Sequence, residues 1–135
     1  MALKDEELKK ELYTKFGTVA EKYLSLQKSG KDAFVVVIAR SPQELIYEGD
    51  TLHHCVGRMN YDRKFIREES LIFFVRDRQN PNVPFVTLEY SLEQHRVLQC
   101  YGERDSKPSD SVLEYVNKKW LPYANRQLKK LQAAA

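Results

Sequence analysis

Phe85-Val86-Thr87-Leu88-Glu89-Tyr90-Ser91 and Arg96-Val97-Leu98-Gln99-Cys100-Tyr101-Gly102, joined by Leu92-Glu93-Gln94-His95, decide the fold of this chain. Both runs alternate in polarity, so each reads as a strand with two different faces, and the short connection makes them a β-hairpin. Val86, Leu88 and Tyr90 share one face, and Thr87 and Glu89 share the other. In the second run Leu98 and Cys100 oppose Gln99 and Tyr101. If like faces align, Thr87, Glu89, Gln99 and Tyr101 form one semi-polar patch; a slip of one residue breaks it.

Upstream, Leu71 to Arg76 reads as a further strand, separated from the hairpin by the turn Asn80-Pro81-Asn82 and by Pro84. Phe34-Val35-Val36-Val37-Ile38 is rich in β-branched residues and reads as a buried strand. The N-terminal segment is an amphipathic helix: Leu8, Leu12, Phe16, Val19, Tyr23 and Leu26 recur at steps of three and four, and Ser29-Gly30 stops it. Ser41-Pro42-Gln43-Glu44 starts a second helix, with Ser41 as N-cap, Pro42 at the first helical position and Glu44 completing a capping box. Gly49 is expected to end it.

A short helix is expected from Arg58 to Glu69, anchored by Met59, Phe65 and Ile66. A last helix starts near Ser109 to Ser111, where Ser111 and Glu114 match a capping box. Its apolar stripe is Val112, Leu113, Val116, Trp120, Leu121 and Leu128. Pro122 should kink or interrupt that helix. The pattern predicts an α+β fold: a small, mainly antiparallel sheet of three to four strands, packed with N-terminal, central short and C-terminal helices.

With 135 residues, 42% hydrophobic and 30% charged, the chain suits one soluble domain spanning 1–135. No apolar run nears the roughly 20 residues of a membrane span. The start, Met1-Ala2-Leu3-Lys4-Asp5-Glu6-Glu7, is unlike a signal peptide, so a cytoplasmic location is expected. Cys55 and Cys100 match no metal-binding spacing and are expected as two thiols. The net charge of +3 does not by itself diagnose nucleic-acid binding. Clustering says more: Arg58, Arg63, Lys64 and Arg67 follow closely on a histidine pair, and Arg104 sits near a strand end.

That pair lies in Glu48-Gly49-Asp50-Thr51-Leu52-His53-His54-Cys55-Val56-Gly57. Two imidazoles and a thiol are the side chains best suited to proton transfer, nucleophilic attack or soft-metal binding near neutral pH. Tyr61 adds a phenol close by. His53 and His54 share one site only if the backbone there is irregular. Cys55, between Leu52 and Val56, reads first as a small buried apolar residue and second as a nucleophile. Zinc held by His53, His54, Cys55 and Cys100 has suitable ligand types but poor spacing, so no metal and no cofactor are expected. Glu89 is either an exposed ladder residue or a site carboxylate, and Gln99 and Tyr101 are similarly balanced.

The middle of the chain resembles the PcfJ-like family, domains encoded on bacterial conjugative plasmids, phages and related elements. The resemblance rests on Glu48-Gly49, Leu52-His53-His54-Cys55-Val56-Gly57, Tyr61, Ser70-Leu71-Ile72-Phe73, Pro84, Thr87-Leu88-Glu89 and Leu98-Gln99-Cys100-Tyr101-Gly102. It covers about Ser41 to Lys107. The segment after Gly102 departs from the pattern, with Glu103-Arg104-Asp105-Ser106 where an Asn-rich turn is expected. The resemblance implies a mobile-element context and a shared fold, and it hands over no reaction.

The leading expectation is a small protein acting on nucleic acid, RNA rather than DNA, with metal-independent ribonuclease chemistry at a His-centred site. His53 or His54 would be general base, Tyr61 or Glu89 would position groups or relay protons, and Arg63 or Arg104 would stabilise phosphorane charge. Arg58, Arg63, Arg67 and Arg104 would bind the polymer, and Cys55, Gln99 and Tyr101 would line the site. The alternative is a non-catalytic module that inhibits or adapts a host defence nucleoprotein, such as a CRISPR nuclease.

Overall fold

A computed structural model describes residues 2–57 and 60–135; Arg58 and Met59 lie outside the described residues. Four antiparallel strands run in the order β1 (Phe34–Ile38), β2 (Ser70–Asp77), β3 (Val86–Ser91) and β4 (Arg96–Tyr101). The expected α+β architecture is what forms. Every residue of β3 and all of β2 up to Arg76 are buried, which an antiparallel sheet shows only when both faces are covered.

One face is apolar. Val36, Ile38, Phe73, Val75, Leu88 and Tyr90 lie on it, by the pairing of Val36 with Val75, Ile38 with Phe73 and Phe73 with Leu88. The C-terminal helices cover it: α4 (Asp110–Tyr115), a π-helical turn (Val116–Trp120) and α5 (Leu121–Ala134). Trp120, fully buried, sets its ring 4.9 Å from Phe73 and 5.6 Å from Tyr90, and its indole N–H donates to the Leu26 carbonyl at 2.9 Å. Tyr90 is buried on the same side and donates its hydroxyl to Asn125 Oδ1 at 2.6 Å. The π turn sits just ahead of Pro122, whose missing N–H and bulky ring a regular helix does not accommodate. The interruption expected at Pro122 therefore takes the form of one widened turn. The N-cap is Ser109, within the expected start and two residues before the Ser111 box; it accepts from the Val112 N–H at 3.3 Å.

The opposite face carries Ile72, Phe74, Arg76, Thr87, Glu89 and Gln99, by the pairing of Ile72 with Glu89, Phe74 with Thr87 and Glu89 with Gln99. It is covered by α2 (Pro42–Leu52), the His-His-Cys loop and α3 (Tyr61–Ile66). Ser41 caps α2 as expected, accepting from the Glu44 N–H at 3.2 Å, while the Glu44 carboxylate reaches one residue further back, to the Arg40 N–H. Gly49 does not end α2; the helix runs three residues beyond it. The third helix is shorter than the expected Arg58 to Glu69.

Helix α1 (Ala2–Lys22) follows the apolar stripe only in its second half. Phe16 is fully buried and stacks on Phe65 of α3 at 3.8 Å, whereas Leu8 is 56% exposed. The hairpin pairs like faces, with Thr87 opposite Tyr101 and Glu89 opposite Gln99. Beyond Glu89 the register shifts, Tyr90 pairs with Val97, and Leu98 is left as a bulge. Among the described residues no helix is long and apolar enough to cross a membrane.

Candidate functional site

The end of α2 determines where its two histidines go. His53 takes the left-handed conformation (φ 55°, ψ 48°) that terminates helices, and its N–H bonds the Gly49 carbonyl. The His54 N–H bonds the same carbonyl at 3.0 Å. The reversal separates the pair: His53 is exposed and His54 is buried at 9% exposure. The loop then folds back on its own helix. A Cβ on Gly49 would lie 3.0 Å from the His54 carbonyl oxygen, and one on Gly57 would lie 2.8 Å from the Ile46 Cα. Both glycines are there for close approach, which the expectation of a helix stop at Gly49 mistook for termination.

His54 reaches across to β3. Its Nε2 is 3.0 Å from Thr87 Oγ1, and its Nδ1 accepts the Val56 N–H at 3.4 Å. With Nδ1 accepting, Nε2 carries the proton and donates to Thr87. Burial pushes the imidazole below its usual titration range, and the charges of Asp105 and Glu48 only partly oppose this. His54 is thus a neutral ring with both nitrogens engaged by the chain, and a general-base role for it requires one of those bonds to be exchanged for substrate.

Glu89 is 3% exposed and each of its oxygens has a partner. Oε2 accepts from Ser70 Oγ at 2.7 Å, and Oε1 accepts from Gln99 Nε2 at 3.1 Å. Gln99 Nε2 also donates to the Tyr61 hydroxyl at 3.1 Å. A carboxylate only accepts, so the Gln99 group facing it is the NH2, and both of its protons are used. The Tyr61 hydroxyl keeps its own proton available. Burial raises its pKa, an effect the Glu89 charge reinforces and the Gln99 bond partly offsets, so the phenol stays protonated. Lys64 Nζ stands 3.9 Å from Glu89 Oε2 and 5.3 Å from the centre of the Tyr61 ring.

Most of these groups line one cavity of about 300 Å³. His54, Cys55, Tyr61, Glu89, Gln99 and Tyr101, all expected at the site, meet there, together with Thr87 and the apolar side chains of Val56 and Ile72. The other expected residues do not. His53, Arg63, Arg67 and Arg104 are exposed and are not among the lining residues, and Arg67 pairs with Glu69 at 3.4 Å. Arg58 lies outside the described residues. Asp105, which follows Arg104, lines the cavity in its place. The charged side chains among the described lining are therefore carboxylates.

Cys55 is exposed at the cavity, which corrects its reading as a buried apolar residue: the loop turns Leu52, His54 and Val56 inward and Cys55 outward. Cys100 lies on the sheet face opposite Gln99, and burial raises its thiol to about 11. Among the described residues no group of three or more His, Cys, Asp or Glu is arranged to hold a metal ion.

One further pair fixes α2 to the sheet. Glu48 (2% exposed) and Arg76 (7% exposed) form a two-pronged ion pair, Arg76 Nη1 donating to Glu48 Oε2 at 2.9 Å and Nη2 to Oε1. The guanidinium also stacks over Phe74 at 4.9 Å. A signal for it was present: Glu48 falls in the Leu45, Glu48, Leu52 stripe, an acidic residue where helical spacing puts the core.

Comparison with known proteins extends this picture. A family model described as PcfJ-like protein matches residues 2–116. The uncharacterized protein Lin1253/Lin1744 of Listeria innocua is 33% identical over 112 residues, covering 83% of this chain and 24% of that protein. The chain thus spans about a quarter of the length of that curated relative. No solved structure matches it.

Proposed function

The chain belongs to the PcfJ-like family, and on that premise we propose that it is a cytoplasmic, mobile-element-encoded protein that binds nucleic acid, RNA before DNA. What supports the reading is one observation. The loop, α3 and hairpin segments that carry the family resemblance converge on a single cavity with hydrogen-bonding walls and an apolar floor. Exposed Arg63 and half-buried Lys64 on α3 lie beside it in sequence and supply charge for a phosphate backbone.

Cleavage is the further step in this proposal. His54 could serve it as a base only by giving up one of the bonds that engage both its nitrogens. The test is incubation of the purified protein with labelled single-stranded RNA and DNA, with and without EDTA. Anisotropy reads binding and gel electrophoresis reads cleavage. RNA binding that persists in EDTA is the expected outcome. Absence of binding to either polymer at low salt overturns the proposal.

A second reading is a non-catalytic module docking on a host nucleoprotein machine. It is favoured by Ile46 and Tyr47, adjacent on α2 and 47% and 58% exposed. Ile46→Ala/Tyr47→Ala leaves RNA binding intact on the first reading and abolishes partner capture on the second.

A further inference from the structure

We infer that the cavity is a slot for a single guanine base of an RNA strand, read on its Watson–Crick edge by Tyr61 and Glu89. The inference rests on the RNA-binding reading above and adds the identity of what enters the cavity.

The lining argues first against a phosphate. A phosphate carries negative charge, and the charged side chains among the described lining are the carboxylates Glu89 and Asp105. Like charges in a partly desolvated site repel strongly. The volume of about 300 Å³ lies at the small end of ligand pockets and suits one base. Apolar Ile72 and Val56 offer a surface for a ring face, and Tyr101, 37% exposed, offers an aromatic ring for stacking.

The hydrogen-bond pattern then selects among bases. Glu89 is 97% removed from solvent, and each oxygen accepts one bond from the chain, leaving one lone pair on each. A carboxylate buried so deeply favours further donors. The neighbouring Tyr61 hydroxyl accepts from Gln99, and its own proton is free to be donated. Followed along the hydrogen-bonded chain from Tyr61 through Gln99 to Glu89, these groups offer a donor and then two acceptors. Guanine presents the complement: the O6 acceptor, then the N1–H and N2–H donors. Uracil offers a single N–H between two acceptors. Adenine and cytosine each put an acceptor next to their amino group, where it would face a carboxylate oxygen. Gln99 holds the two reading groups in place, since its amide spends both protons on them.

The test uses short uridine-rich single-stranded RNA carrying one central guanosine, and the same strand with adenosine, cytidine, uridine or inosine at that position. Binding is read by anisotropy at low and at moderate salt. Guanosine is expected to bind about tenfold or more tighter than the others, the discrimination typical of one two-pronged base contact. Inosine, which keeps N1–H and lacks the N2 amino group, should lose a large part of it. Glu89→Gln should remove the preference, and a melting curve reports whether that buried change still folds. Tyr61→Phe, a milder change, should weaken guanosine binding selectively while the salt dependence stays the same. If all five strands bind equally, the guanine slot is wrong and RNA binding stands. If none binds at low salt, the underlying RNA reading has failed. An arginine-bearing peptide competing where no base preference exists would show that the carboxylates serve a protein cation instead.

Discussion

His54 Nε2 stands 3.0 Å from Thr87 Oγ1, so the ring that leaves α2 is anchored on β3, one of the two interior strands of the sheet. Replacing Thr87 by Val keeps the shape and removes the acceptor, leaving a buried ring N–H without a partner. A loss of about 1–3 kcal/mol is expected in denaturant melts. No change would mean that the ring finds another acceptor, and the anchor would then be incidental.

The same ring makes stability depend on pH. Its folded pKa is depressed from 6.5 by burial, so the unfolded chain binds the proton more readily. This contribution is complete above the unfolded value and is lost as pH falls through it, with a slope of at most about 1.4 kcal/mol per pH unit. His54→Gln should flatten the stability profile between about pH 7.5 and 5.5. A parent profile already flat over that window contradicts the buried neutral ring.

Glu48 and Arg76 give a larger effect. Glu48→Ala strands a guanidinium that is 7% exposed, and a cost of about 3–5 kcal/mol is expected. The double replacement Glu48→Leu/Arg76→Met should recover most of it, because no uncompensated charge remains. A double variant no more stable than the single would locate the energy in packing instead.

Two glycines should respond oppositely to alanine. At Gly57 the new Cβ meets the Ile46 Cα at 2.8 Å, backbone that cannot step aside, and a loss of about 1–3 kcal/mol is expected. At Gly17, inside α1 with nothing within 4 Å, alanine should stabilise by roughly 0.5–1 kcal/mol. Thermal melts of the two variants decide it, and equal shifts would contradict the loop's close packing on α2.

Cys55 should react with iodoacetamide well before Cys100, because it is exposed while the Cys100 thiol is half-buried with a pKa near 11. Cys55→Ser should change stability by less than roughly 0.5 kcal/mol. Mass spectrometry of partly labelled protein reads the order, and first labelling at Cys100 would reverse the assignment.

RNA affinity should fall with salt at a log–log slope near −3, from about four phosphate contacts at roughly 0.7 each on a single strand. Arg63→Ala should flatten that slope by about one contact. Lysine at the same position should restore it, as a charge contact requires.

Much of the architecture was legible because it rests on local, periodic signals. The alternation from Val86 to Tyr101 placed Thr87, Glu89, Gln99 and Tyr101 on one face, and Ser41-Pro42 marked the start of α2. The reading weakened wherever tertiary contact outweighs local chemistry. Gly49 looks like a helix stop and is a packing glycine. Cys55 looks buried between two apolar neighbours, and a left-handed His53 rotates the following residues so that it faces solvent. Glu48 and Arg76 are 28 residues apart, and their pairing follows only from the completed fold. The family match, 2–116, also reaches through α1, a segment whose stripe alone carried little of the resemblance.

The bulge at Leu98 works as an expansion joint. On its far side Tyr90 pairs with Val97 and Ser91 with Arg96, in a register belonging to the Leu92–His95 turn; on its near side Glu89 pairs with Gln99 in a register belonging to the cavity. One spare residue thus absorbs the mismatch between the two ends of a single hairpin. A residue inserted or deleted at the solvent-exposed tip can be taken up at Leu98, itself 38% exposed, without turning Gln99 away from Glu89. The tip is therefore free to vary in length, while the stretch from Gln99 to Tyr101 has no such slack.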